Sequence, residues 1–201
     1  MRTKDGKPVL FVADPTRAPG TAACLYARPD DQSDQGPTWR ELLVRYNTAP
    51  GNNPLALLPA IELYENPAYR RIAKKFGAEN TFILSAGWGL ISSSFLTPDY
   101  DITFSASAEA YKRRRRADTY QDLRMLPERS PGPIVFLGGK DYLGLFVRLT
   151  QGTSGKKIVF YNSAVEPSVP GCSLRRFETS TRTNWHYECA NALVAGDLKL
   201  S

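Results

Sequence analysis

The chain has one histidine, His186, and three cysteines, Cys24, Cys172 and Cys189, with no C-x-x-C pair among them. Odd in number and scattered, the cysteines argue against a disulfide framework and against a structural zinc site. A Ser-His-Asp triad would depend on His186 alone. Neither a Walker motif nor a G-x-G-x-x-G fingerprint occurs, so no metal, ATP or dinucleotide cofactor is expected. Acid–base and charge-stabilising chemistry therefore falls to carboxylates. A carboxylate is useful where a rigid strand delivers it, which leaves Asp14, Asp101 and Asp141 as the short list.

The positioning elements follow from the apolar pattern. Val9-Leu10-Phe11-Val12, Phe82-Ile83-Leu84, Ile134-Val135-Phe136-Leu137 and Ile158-Val159-Phe160-Tyr161 are short, continuous and rich in β-branched or aromatic residues. Continuous rather than alternating runs mark strands buried on both faces, as in a parallel sheet covered by helices. Between them lies a helix from Asn66 to Gly77, with Asn66 at the N-cap, Pro67 in the first turn and Gly77 closing it. Tyr69, Ile72, Ala73 and Phe76 share its apolar face. Further helices are expected over about Trp39–Tyr46, Ser107–Leu126, from Lys140 through Leu149, and over Thr183–Val194. In the last, Trp185, Cys189 and Leu193 share a core face, leaving Asn184 and His186 for the sheet's edge or for a structural role. Strands alternating with helices predict a single α/β domain over 1–201, three-layered, with a mainly parallel central sheet. The stretch 13–59, rich in proline, glycine and aspartate, reads as a loop-rich insertion, functional or plain.

In an open α/β sheet ligands collect outside the carboxyl ends of the strands. Those ends nominate Asp14, Ser85, Gly87, Gly138, Gly139, Lys140, Asp141 and Asn162. Glycines allow close backbone approach, and Gly138-Gly139 before a helix offers free N–H groups to an anion. The same pair would also serve a plain tight turn.

The most informative stretch is Phe82-Ile83-Leu84-Ser85-Ala86-Gly87-Trp88-Gly89-Leu90-Ile91, followed by Pro98-Asp99-Tyr100-Asp101-Ile102-Thr103-Phe104. It resembles the YaaA-like superfamily, whose members carry a strand ending Leu-Ser-Ala, then Gly-Leu, then a Pro-Tyr-Asp element. Upstream, Pro59-Ala60-Ile61-Glu62-Leu63-Tyr64 and Pro67-Ala68-Tyr69 resemble the family's Ala-x-x-Leu-Tyr followed by an aromatic. The likeness spans about residues 9 to 162. Ala13-Asp14-Pro15-Thr16-Arg17 stands where the family has Cys-Ser-x-x-Lys, with Arg17 in place of the lysine. Asp99 intrudes between Pro98 and Tyr100, and Trp88 replaces a Tyr or Phe. The resemblance implies an α/β core associated with DNA, and kinship with enzymes of nucleoside and nucleic-acid N-glycosidic bonds, including phage and defence proteins. It also singles out Asp101 as the catalytic carboxylate. Cleavage of such a bond passes through an oxocarbenium-like state that one carboxylate can stabilise. The alternative for Asp101 is turn capping or an arginine pair. Trp88 and Tyr100 are candidates to sandwich an extruded base, or else they pack the core.

The chain has 201 residues, 42% of them hydrophobic, and a net charge of +6. Its apolar content supports a packed core. No apolar run reaches membrane-spanning length and no signal-peptide core follows Met1, so a cytoplasmic protein is expected. A basic balance fits a polyanionic partner. Lys112-Arg113-Arg114-Arg115-Arg116 is the densest run of charge. It is a set of DNA-backbone contacts or else a solvated helix face balanced by Glu109, Asp118 and Asp122. Substrate contacts would come from Asp14, Arg17, Ser85, Gly87, Trp88, Tyr100, Gly138, Gly139, Lys140 and Asn162. No obligatory protein partner is evident. The reading is a DNA glycosylase that releases a modified base. The competing readings are a non-catalytic DNA-binding or DNA-protecting protein, and an N-glycoside hydrolase or transferase acting on free nucleosides or nucleotides.

Overall fold

The computed structural model describes residues 1–181 and 183–200. Its strands are β1 (Val9–Val12), β2 (Leu25–Ala27), β3 (Leu58–Pro59), β4 (Phe82–Ser85), β5 (Gly89–Ser92), β6 (Leu96–Thr97), β7 (Tyr100–Asp101), β8 (Leu123–Arg124), β9 (Ile134–Phe136), β10 (Lys157–Tyr161) and β11 (Cys172–Arg176). Its helices are α1 (Trp39–Thr48), α2 (Ala68–Phe76), α3 (Leu143–Thr150) and α4 (Trp185–Ala195). All four apolar runs are strands, and the fold is α/β.

The pairing is mostly parallel, in the order β2-β1-β7 and again in β11-β10-β9. The strands fall into four hydrogen-bonded groups among the described residues, and β4 does not neighbour β9. Instead β4 turns back on β5 as an antiparallel hairpin, with Ser85 opposite Gly89, and β5 pairs in parallel with β8. The strand ends therefore do not form one continuous edge, as a single sheet would require.

Local signals explain the helices that match expectation. Thr38 and Glu41 form a reciprocal capping box at the start of α1. Asn66 Oδ1 accepts the Ala68 N–H at 2.9 Å ahead of α2. Gly196, with φ +88, closes α4. The segment 13–59 is more than a loop-rich insertion. It supplies β2 beside β1, and α1 drives Trp39 and Leu43 into the main core. There Phe11 meets Trp39 and Trp88 edge-to-face, at 6.1 and 5.0 Å between ring centres.

The helix expected over Ser107–Leu126 is absent. Its backbone groups pair elsewhere: Thr103 N–H donates to Lys112 O, Arg114 N–H donates to Thr103 O, and β8 takes the end of the segment. These tertiary pairings override the helical propensity of an arginine-rich run.

Gly89 is needed where β5 begins. Its φ is +93, and a Cβ there would lie 2.6 Å from Leu123 N and O. Gly89→Ala is expected to destabilise the protein by about 1–3 kcal/mol from backbone strain alone, measured by urea unfolding. An unchanged midpoint would show that β8 yields without cost.

Candidate active site

Two adjacent parallel strands, β1 and β7, carry carboxylates at their carboxyl ends. Val12 lies opposite Asp101 in the register, and Asp14 follows two residues beyond Val12. A single segment, Tyr111–Arg115, ties the two ends together. Tyr111 O accepts the N–H groups of Ala13 and Asp14, each at 2.8 Å. Lys112 Nζ pairs with Asp101 and with Glu109, each at 2.8 Å. Arg113 and Arg115 line a small recess with Asp14, Arg17, Ala110 and Asp118.

The basic run is extended at Arg113, which bridges in parallel to Thr103. Extended backbone sends successive side chains to opposite sides. Arg113 and Arg115 accordingly reach the recess while Arg114 turns inward. Its side chain is 2% exposed, stacked 3.8 Å from the Tyr120 ring centre and bonded to both oxygens of the buried Asp122. Arg114 is thus withdrawn from any DNA contact. Lys112 is half-buried between two carboxylates. Arg116 is exposed, with no partner among the described residues.

The electrostatics follow from these contacts. The Thr16 hydroxyl, bonded to Asp14 at 2.6 Å, holds the Asp14 carboxyl below its usual value, with Arg17 and Arg115 assisting. Hydrogen bonds from Lys112 to Asp101, then to Glu109, hold the ammonium charged beyond its ordinary range.

The Ser85–Trp88 turn is closed to ligand. Arg114 donates to Ala86 O at 2.7 Å, and Arg40 donates to Gly87 O at 2.9 Å and Trp88 O at 3.0 Å. Arg40 is itself held by Asp30. Ser85 Oγ accepts the N–H groups of Gly87 and Trp88 and donates to Tyr100 OH at 2.9 Å. Ser85 and Trp88 are fully buried. A Cβ on Gly87 would sit 3.2 Å from Ile102 and 3.3 Å from the Tyr100 ring. The turn is therefore a hydrogen-bonded brace, and Trp88, wedged in the core, cannot stack on a base. Gly87 serves close packing.

Tyr100 and Asp101 point in opposite directions, as neighbours on a strand must. Tyr100 joins a phenol cluster: its OH lies 2.8 Å from Tyr64 OH, and Tyr64 stacks on Tyr69 at 4.6 Å, with Tyr187 beyond. Tyr142 closes the cluster against Phe104. Tyr100 and Asp101 therefore do not frame one pocket. The resemblance singled out Tyr64 and Tyr69, but periodicity gave no signal that Tyr142 and Tyr187 would join them.

Burial raises the pKa of Tyr64, Tyr69 and Tyr100, and lifts Tyr142 to about 12. An unfolded phenol titrates near 10. Above that pH the unfolded chain loses protons that the folded chain keeps, so stability is intact below pH ~10 and falls as pH rises towards 12. The melting temperature should drop across that window, with these phenols ionising only as the fold opens. Titration of Tyr64, Tyr69, Tyr100 and Tyr142 with an ordinary midpoint near pH 10 in a still-folded protein would contradict this.

The remaining strand-end candidates lie on the β11-β10-β9 sheet. Gly138 packs its α-carbon against the Phe136 ring, and a Cβ there would approach to 2.8 Å. Gly139 is open, and Lys140 and Asp141 are exposed in the short turn before α3. Asn162 bonds Phe177 O at 3.2 Å, bracing β10 against the chain after β11. No hydrogen bond or ion pair among the described residues joins this group to Asp14 or Asp101. His186 is half-buried beside Tyr187, and burial lowers its pKa. The described residues hold no cluster of metal-ligating side chains and no helix long and apolar enough to cross a membrane. No protein-family model matches this chain, and neither does any curated protein or solved structure with which it was compared.

Proposed function

We propose that the protein cleaves the N-glycosidic bond of a base in DNA, leaving an abasic site. The observation that carries this reading is the delivery of Asp14 and Asp101 to the ends of neighbouring parallel strands, amid Lys112, Arg17, Arg113 and Arg115. A side chain 43% exposed leaves the Asp101 carboxylate within reach of a sugar. There it can stabilise the oxocarbenium-like charge or orient a water. The surrounding cations suit a polyanionic substrate. The preference for a modified base, and a role in phage defence, rest on the likeness to the YaaA-like superfamily alone.

One observation favours a second reading, a non-catalytic DNA-binding or DNA-protecting protein: Lys112 already engages Asp101, as a structural ion pair would. Incubation with plain and modified DNA, then alkali, separates the two. Strand breaks support base release. Retention on heparin without breaks supports the second reading. Turnover of free nucleosides alone would replace both.

A further inference from the structure

We propose that the recess between the Asp14–Arg17 turn and the 110–118 segment is a phosphate-binding site. Three guanidiniums from two separate parts of the chain, Arg17, Arg113 and Arg115, line it. Arg17 is anchored through Nε to Asp14 at 3.4 Å, and Arg115 through Nε to Asp118 at 3.3 Å. Anchoring through Nε leaves the paired Nη groups, the fork that meets two phosphate oxygens at once. Arg113 is braced by one Nη to Ala106 O at 3.2 Å and keeps its other donors.

The two aspartates act as anchors. Asp14 already accepts from the Thr16 hydroxyl, and Asp118 from the Arg115 N–H at 2.7 Å. With three cations against two carboxylates the lining keeps a net positive charge. Arg17 and Arg115 are exposed at 59% and 63%, so a phosphate can reach them from solvent.

That the phosphate belongs to DNA rests on the function proposed above; that the recess takes a phosphate does not. The test uses the full chain and the variant Arg17→Gln/Arg113→Gln/Arg115→Gln, with Lys156→Gln, an exposed residue just before β10 and outside the recess lining, as the charge-loss control. Inorganic phosphate binding is measured calorimetrically at constant ionic strength. Affinity for a short duplex is measured across a salt series. The variant should bind phosphate at least about tenfold more weakly, and its log–log salt slope should fall by about two to three units, one per lost contact. The control should shift neither appreciably.

Weakened phosphate binding with an unchanged DNA slope upholds the site and assigns it to a free phosphate or nucleotide, which counts against a DNA substrate. Wild-type protein that ignores phosphate, or a triple variant that binds it as tightly, overturns the site even if base release is observed. Should the triple variant unfold, Arg17→Gln alone, on the exposed turn, decides between the same results.

Discussion

Asp122→Ala is expected to lower the unfolding free energy by about 3–5 kcal/mol, the usual cost of stranding a buried charge. The Asp122 side chain is 1% exposed. Its carboxylate receives Arg114 through two bonds, at 2.8 and 2.7 Å, and Arg148 at 2.7 Å. Removing it leaves the buried Arg114 guanidinium with Ala86 O and the faces of Tyr120 and Phe104, none of them charged, as its partners. Arg148 is half exposed and can turn to water, so Arg148→Gln should cost less than about 1 kcal/mol. The double variant Arg114→Met/Asp122→Leu should be more stable than Asp122→Ala alone, because it removes both buried charges together. Urea unfolding checks all three. A loss below about 1 kcal/mol for Asp122→Ala would mean that water reaches Arg114 and the network is not a closed brace.

Asp101→Asn is expected to cut base release by a factor on the order of 10²–10³, the usual consequence of removing one electrostatic stabiliser. DNA affinity and melting temperature should scarcely move. Asp101 and Lys112 are 43% and 25% exposed, and an ion pair that wet contributes at most about 1 kcal/mol. An Asp101 that serves only in this exposed ion pair would therefore leave both rate and stability near wild type. Retained base release in Asp101→Asn would pass the catalytic role to Asp14 or Asp141, of which Asp14 has the arginine surroundings. A variant that fails to fold would mark Asp101 as a strand-end anchor.

Much of the architecture is legible because its signals are local. Four apolar runs are strands because β-branched and aromatic residues suit a pleated, buried surface, although β4 alternates in burial and pairs antiparallel, so the continuous run did not mark a parallel strand there. Helix α2 ends at Gly77 as expected and begins at Ala68, one residue later than an Asn66 N-cap implies, with the Asn66 side chain still capping its first N–H. Asp14 follows from its position after the β1 run; Asp101 was picked out by the Pro-Tyr-Asp likeness, and its strand, only Tyr-Asp, had no signal of its own. Less visible were β2, only Leu-Tyr-Ala, and β8, only Leu-Arg. Strands this short have no periodicity of their own and exist through their partners.

What the sequence determined by itself was therefore the inventory: an α/β chain with a positive charge excess, its main strands, and the carboxylate Asp14 just beyond the first of them. Tertiary structure alone decided the rest. Pairing is non-local, so no spacing could show that β4 turns back on β5 rather than lying beside β9. Nor could the run Lys112–Arg116 reveal its own division. As a helix its charges would have spread around an axis; bridged at Arg113 to Thr103, it alternates from Arg113 to Arg115. Arg113 and Arg115 face the recess, and Arg114 enters the core, because Asp122 and Ala86 O are the partners waiting on that side. The same two-residue period parts Tyr100 from Asp101, turning one toward the buried phenols and the other toward Lys112.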